Sequence, residues 1–398
     1  MSTTVITSRV ELDSLAETTL KAATRLWFVV TIIGQLAFAF AVASFYGMTA
    51  LRGNLSQWGR FISHGYAAGD TMGNLAVVMH VASAVVIMLA GAVQLVPQIR
   101  SRSPAFHRWN GRIYMLTALT VSAAGVFMTW MRPSVGDFLQ HVGSSLNAVL
   151  IWVCAAMALR YAIARDFRTH RRWALRLFLV TSAAWFFRIT FFLWLFLSNA
   201  TFGFDPTTLQ TPFITFMTFG QYLLPLAVLE IYIRAQDRGA LPRMAMAAAM
   251  FLISLGMTAG LFAVASGIWV RQVKAAYDPR KSIAEIISAT IDSSGMAQAE
   301  QQYRKLKTDA SATYNFEEAE LNSLGYQLLR AKKFDDAIRV FQLNVEAYPH
   351  SSNVYDSLGE GYMNAGNRAE AIANYERSVQ LNPKNSNGVS MLHKLGAR

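Results

Sequence analysis

The sequence is poor in charge, and poorest in acidic charge and cysteine. Only 15% of its 398 residues are charged, against about 25% in a soluble globular chain. With 53% hydrophobic residues, that deficit excludes intrinsic disorder and argues against an ordinary cytosolic enzyme. The single cysteine, Cys154, excludes a disulfide framework, a Cys-rich zinc site, an iron–sulfur cluster and a C-x-x-C-H haem attachment within one chain. Acidic residues number 24 against 36 Lys and Arg, a net charge of +12. Such a balance can signal nucleic-acid binding, so the positions of the charges decide its meaning. The length allows two or three domains.

The hydrophobic residues are unevenly spread. Long apolar runs follow one another through residues 26–270, and residues 271–398 hold none. A helix needs about 20 mostly apolar residues to cross roughly 30 Å of hydrocarbon. Seven segments qualify: Leu26–Tyr46, Asn74–Val96, Ile113–Met131, Val142–Ile163, Trp173–Leu197, Phe213–Ile233 and Met244–Val270. In lipid each backbone group must bond within its own segment, so all seven are expected to be helices. Residues 1–25 form a polar N-terminal segment. The first span is too long for a signal-peptide core and is expected to be a retained signal anchor.

The basic residues sort by loop. Alternate connections carry sixteen Lys and Arg, among them Arg100, Arg102, Arg108, Arg112, Arg168, Arg171 and Arg172, whereas the opposite connections carry only Arg52, Arg60 and Arg132. The positive-inside rule puts the first set in the cytoplasm. The N-terminus is then cytoplasmic and, after seven spans, the C-terminal region lies outside the inner (plasma) membrane of a bacterium. Residues 1–270 hold 20 basic and 9 acidic residues, and residues 271–398 hold 16 and 15. The excess is a topology signal, and nucleic acid is not an expected partner.

Near the end an internal repeat has a period of 34. Leu324, Gly325, Ala337, Ile338, Phe341 and Pro349 recur as Leu358, Gly359, Ala371, Ile372, Tyr375 and Pro383. The offsets resemble the tetratricopeptide repeat. Small Gly and Ala let two helices approach, the aromatic fills the space between them, and Pro ends the second helix. Two repeats are expected at 318–351 and 352–385. A divergent helix pair at 282–307, with Gly295, Ala299 and Tyr303, and a capping helix at 386–396 would complete the domain 282–398 behind a linker at 271–281. Stacked repeats build concave surfaces for a protein or peptide partner; a passive spacer is the plainer alternative.

Four histidines stand at or near the N-terminal parts of four consecutive spans: His80, His107, His141 and His170. Because spans alternate in direction, His80 and His141 fall on the outer side, and His107 and His170 on the cytoplasmic side. Two imidazoles on opposite faces of an iron hold a b-type haem without covalent attachment, and facing helices of a bundle can each supply one. Two such pairs, His80 with His141 and His107 with His170, would hold two haems b and conduct electrons across the bilayer. Gly111, four residues after His107, would leave room for a flat macrocycle. Arg112, with Arg108, Arg171 and Arg172, would hold propionates. Ser103-Pro104 reads as an N-cap with Pro at the first helical position, which places His107 in the first turn. His64, in the first outer loop, is a further candidate for the place of His80 or His141. The plainer reading is that these histidines belong to a hydrated interfacial belt.

Other polar residues lie at membrane depth. Arg188 falls in mid-span and needs a partner; Glu230 and Gln221 are candidates, as is a haem propionate or an anionic substrate. Gln94 and Asn147 read as bonds between helices, Pro225 as a kink, and Asp70 and Asp137 as ordinary loop residues. Trp109, Trp130 and Trp173 sit where an interfacial belt would.

The stretch 74–234, with H-R-W-N-G-R-I-Y at 107–114 and H-R-R-W-A-L-R at 170–176, resembles bacterial predicted membrane proteins of domain-of-unknown-function family 2306. The order of histidines on four consecutive helices is similar in architecture to transmembrane di-haem cytochromes b that pass electrons from ascorbate. That resemblance implies the same two pairs as axial ligands.

The expectation is therefore an all-α protein, a seven-span bundle followed by an α-solenoid of tetratricopeptide repeats. It would act as a di-haem b-type transmembrane electron carrier, a membrane oxidoreductase, in contact with the lipid bilayer and with a docked protein. The alternative is a membrane-anchored scaffold with a purely structural bundle. A transporter fits less well, because the hydropathy shows no inverted repeat.

Overall fold

The computed structural model describes residues 2–53, 55–60, 65–66, 69–131, 137–198 and 212–397. Their contacts divide into two compact units, the membrane helices as far as Ala276 and the helices from Tyr277 onward.

In the first unit α1 (Ser2–Val42) continues through a π-helical turn, Ala43–Gly47, into α2 (Met48–Leu51). It begins well before the apolar run because residues 2–33 contain neither Gly nor Pro to stop it. After it come α3 (Thr71–Gln94), the short α4 (Pro97–Arg102), α5 (Pro104–Met131) and α6 (Phe138–Ile163). The bent pair α7 (Phe167–Thr181) and α8 (Ala183–Ser198) is followed by α9 (Pro212–Gln236) and α10 (Ala240–Val264). A second π turn, Ala265–Trp269, joins α10 to α11 (Val270–Tyr277). Among the described residues six helices are long and apolar enough to cross a membrane, and the bent pair α7–α8 makes a seventh if the two count as one span. The seventh apolar helix runs on to Tyr277, so most of the expected linker is helical.

Pairwise packing closes a ring: α1 on α3, α3 on α5, α5 on α6, α6 on α9, α9 on α10 and α10 on α1. The bent span touches all six of these helices. Gly34 of α1 and Gly260 of α10 face Trp185 and Ile189 of α8, Gly91 of α3 faces Phe178, Tyr114 of α5 bonds Thr181 at 2.5 Å, and α7 packs on α6 and α9. Its middle is enclosed: Val180 and Trp185 have no exposed surface.

The sequence reads this span as one straight helix, but it bends by 51°. The break falls at Ser182, whose hydroxyl donates to the Phe178 carbonyl at 2.7 Å and accepts from the Gln35 amide at 2.9 Å. A serine bonding back to the preceding turn loosens the helical ladder there. Burying a polar pair across helices holds the bend in place. At Gly260 a Cβ would lie 2.6 Å from the Ile189 carbonyl oxygen, a backbone atom that cannot step aside. Gly260→Ala is expected to cost about 1–3 kcal/mol through overpacking, seen as a lower unfolding midpoint of the detergent-solubilised protein. An unchanged midpoint would show that α10 can slide past α8.

The second unit contains α12 (Ile283–Ser294), α13 (Met296–Asp309), α14 (Glu318–Arg330), α15 (Phe334–Ala347), α16 (Ser352–Asn364), α17 (Arg368–Leu381) and α18 (Ser386–Lys394). The expected repeats correspond to α14–α15 and α16–α17, the divergent pair to α12–α13 and the capping helix to α18. Ala337 and Ala371, and Phe341 and Tyr375, are equivalent pairs with no exposed surface. The same period governs polar groups. Asn344 donates to the Glu318 carbonyl at 3.0 Å, and Ser378, 34 residues later, donates to the Ser352 carbonyl at 2.7 Å. Each bond ties the second helix of a repeat to the orphan backbone at the start of its first.

One feature of this unit has no sequence signature. Two residues, Lys281 and Ser282 (β1), pair in parallel with Tyr314 and Asn315 (β2). Beside them Asp278 accepts from Arg280 at 2.8 Å and from Asn315 at 3.2 Å. The connection is thereby fastened to the first helix pair.

On α13 the Glu300 carboxylate receives Arg339 and Arg304. Their guanidinium groups hold its carboxyl below the usual range. A depressed folded value contributes stability above the unfolded pKa, which is lost as pH falls through the folded one. Acidification below about pH 4 is therefore expected to open the α13–α15 contact before the rest of the unit. Glu300→Gln should flatten that acid response, read as protease sensitivity against pH.

Candidate functional site

Each histidine is placed by the start of its helix. Asp70 caps α3 by accepting from the Gly73 amide at 2.8 Å. Asp137 caps α6 through the Gln140 amide at 2.8 Å, and Asp166 caps α7 through Thr169 at 3.1 Å. Asp70 and Asp137 are thus not ordinary loop residues: a carboxylate meets the positive end of each helix. As expected, α5 starts at Pro104, and the His107 amide bonds the Ser103 carbonyl at 3.0 Å. His107, His141 and His170 lie in first turns, whereas His80 is nine residues into α3.

His107 and His170 both stand in first turns at the arginine-rich end, on α5 and α7. The His170 Nδ1 lies 2.8 Å from the Ala158 carbonyl of α6. A carbonyl can only accept, so Nδ1 carries a proton, and in the neutral ring Nε2 then holds the lone pair. The His107 Nδ1 is buried and has no hydrogen-bond partner.

His80 is held the same way as His170. Its Nδ1 donates to the Val121 carbonyl of α5 at 3.2 Å, and its ring rests 3.6 Å from where a Cβ of Gly125 would stand. His141 meets α5 elsewhere, its ring edge-on to Trp130 at 5.5 Å between centroids. At 1.5 Å per residue the two contact levels are about 10 Å apart along α5. The structure does not set His80 and His141 at one depth, because one sits inside its helix and the other at a helix start. His64 lies outside the described residues.

Gly111 and Arg112 each have a protein neighbour. The room beside Gly111 is occupied by Gln94: a Cβ there would lie 2.8 Å from the Gln94 amide nitrogen, which donates to the His107 carbonyl at 2.9 Å. Gln94 does join helices, and Gly111 makes way for it. The Arg112 guanidinium lies 4.8 Å from the Trp109 ring centroid, on an exposed indole. Asn147 leaves its Oδ1 buried without a partner, and α9 continues on both sides of Pro225.

Neither side chain considered for Arg188 pairs with it. Glu230 binds Arg176 of α7 at 2.6 Å, since both lie toward the arginine-rich end, and Gln221 donates to Thr218 of its own helix at 2.9 Å. Sequence reasoning also missed Gly125, which carries no signal apart from its place in an apolar run, and the Val121 and Ala158 carbonyls, which have none. Among the described residues, no group of three or more His, Cys, Asp or Glu is placed to hold a metal ion. A bis-imidazole site needs only two.

Residues 77–224 match the family model described as "Predicted membrane protein (DUF2306)", and residues 352–385 match that of the tetratricopeptide repeat. The chain is thus a membrane protein with a repeat domain of the kind that binds proteins, and the first match contains all four histidines. No curated protein and no solved structure matches the chain.

Proposed function

We propose that the protein is a transmembrane electron carrier of the b-type haem class, with a repeat domain that docks a protein partner. The observation that supports it best is the His107–His170 pair: one imidazole presented with a free Nε2, the other buried with an unpartnered nitrogen. A neutral ring oriented by a backbone carbonyl is the usual outer-shell arrangement of a metal-bound histidine. His80 repeats it in the other half of the bundle. When bound, haem supplies a centre that takes up and gives up one electron. The chain supplies the ligands, their tautomers and a dry surrounding.

The arginine-rich loops support a cytoplasmic N-terminus in a bacterial inner membrane, with the repeat domain on the outer side. His107 and His170 then form the cytoplasmic centre. His80 is the proposed ligand of the outer centre. His141 joins it only if the first turn of α6 moves inward, so its variant is the discriminating one.

The test is a reduced-minus-oxidised spectrum of the purified protein after expression with ample haem. An α-band of b type is expected. A colourless protein would overturn the carrier reading and leave a membrane-anchored scaffold whose phenotype depends on residues 281–398 alone. A reporter fused after residue 398 tests the orientation, with cytoplasmic signal counting against it.

A further inference from the structure

The membrane unit carries its positive charge in one residue type. Residues 26–270 contain 17 Arg and no Lys. Residues 271–398 contain 8 of each, so the bias belongs to the membrane unit and not to the whole chain. Topology needs only positive charge, and either residue supplies it. Geometry separates the two. A guanidinium is a planar fork that binds a carboxylate or phosphate through two parallel hydrogen bonds, whereas an ammonium is a hydrated point charge.

The arginines gather at one end of the bundle. Bonds from Trp130 to Ser145 and from Trp152 to Ser122 set α6 antiparallel to α5. The start of α5 and the end of α6, where α7 follows, therefore share that end. Arg100, Arg102, Arg108, Arg112, Arg168 and Arg171 are exposed there, and among the described residues none of them forms an ion pair with a carboxylate. In the second unit, by contrast, Arg280, Arg304 and Arg339 each pair with an acidic residue. Arg168 also stands in the first turn of α7, at the positive end of the helix, where a cation is unfavourable unless an anion lies over it. Exposed Phe106, Trp109 and Phe167 are interleaved with these charges. The Arg112 guanidinium rests on the Trp109 indole, 4.8 Å from its centroid, and stacking of this kind orients the fork. Cationic forks beside exposed rings match the level at which lipid phosphates meet acyl chains.

We propose that this end of the bundle binds the phosphate of an anionic phospholipid, with guanidinium groups of α5 and α7 as donors and Phe106, Trp109 and Phe167 against the acyl chains. Charge complementarity selects this occupant. A zwitterionic headgroup brings an ammonium that the arginines repel, and an anionic one brings only acceptors. A soluble phosphate would satisfy the forks but leave the three rings in water. Neither haem nor the side of the membrane that this end faces enters into the assignment.

In the experiment the full chain is reconstituted in equimolar phosphatidylglycerol and phosphatidylcholine and re-extracted in mild detergent. The lipids it retains are then quantified by mass spectrometry. Wild type is expected to retain phosphatidylglycerol in severalfold excess. Arg108→Gln with Arg112→Gln, and Arg168→Gln with Arg171→Gln, should each bring the ratio close to one, since a single cation near an anionic surface is worth about fivefold. These positions are exposed, and surface substitutions of this kind leave folding intact. Arg→Lys at the same four positions keeps the charge and should still lose most of the excess, because the fork is gone. Arg52→Gln, at the other end of the bundle, should change nothing. Equal retention of the two lipids by wild type overturns the proposal, as does an excess that survives the glutamine variants. Lysine variants that match wild type overturn recognition by the guanidinium. Displacement of the lipid by inorganic phosphate would make the ligand a soluble anion and overturn the lipid assignment.

Discussion

Replacing His107 by alanine is expected to remove one of two b-type centres, about half of the reduced-minus-oxidised amplitude, and to leave the other intact. An axial imidazole is a bond to the iron that no neighbour of His107 can replace: Gln94 is engaged with the backbone carbonyl, and the nearby arginines are cations. His170→Ala should give the same spectrum as His107→Ala, and the double variant should lose nothing further, because one centre cannot be removed twice. His80→Ala should remove the complementary half. His350, exposed in the repeat domain, is the control, and its alanine variant should retain the full amplitude. Equal spectra for wild type and all four membrane variants would refute the ligand assignments.

Phe341→Ala should unfold the middle of the repeat domain. Phe341 has no exposed surface, and its ring fills the space left by Gly325 of its own repeat and lies against Gly361 of the next. Deleting a fully buried phenylalanine costs about 3–5 kcal/mol, a large part of the 5–15 kcal/mol typical of a domain. In a stack of repeats, stability is a sum of units and their interfaces, so the loss spreads to both neighbours. The measurement is the rate of limited proteolysis within 318–385 in the solubilised full chain. The expected result is rapid cleavage there, with the helices up to Tyr277 protected. Cleavage no faster than in wild type would mean that Leu324 and Leu358 can close the cavity. Gly325→Leu should be similarly severe for the opposite reason, since even a Cβ at that position would collide with the Phe341 ring.

Much of the architecture is legible without coordinates, for stated reasons. A 34-residue period places the repeats, because equivalent side chains must fill equivalent holes. Apolar length marks the spans, because a bilayer imposes one dimension on each. The histidines could be found as candidates, since titratable groups near apolar spans are few. Their partners could not. Whether His80 meets His141 depends on how far each lies inside its helix and which level of α5 it touches, and sequence spacing does not encode depth to within 10 Å. Gly111 illustrates the limit: a missing Cβ indicates that something comes close, without indicating that it is Gln94.

The sequence by itself determines that the protein is helical, that residues 26–270 cross the membrane, and that two repeats follow, because these depend on composition and period along one chain. Only the tertiary structure decides that the fifth span bends at Ser182 and touches every other span, that Glu230 serves Arg176, and that Arg188 has no acidic partner among the described residues. Those outcomes depend on which groups from distant segments share one small volume. A buried polar group must settle with whatever donor or acceptor the packing brings within about 3 Å.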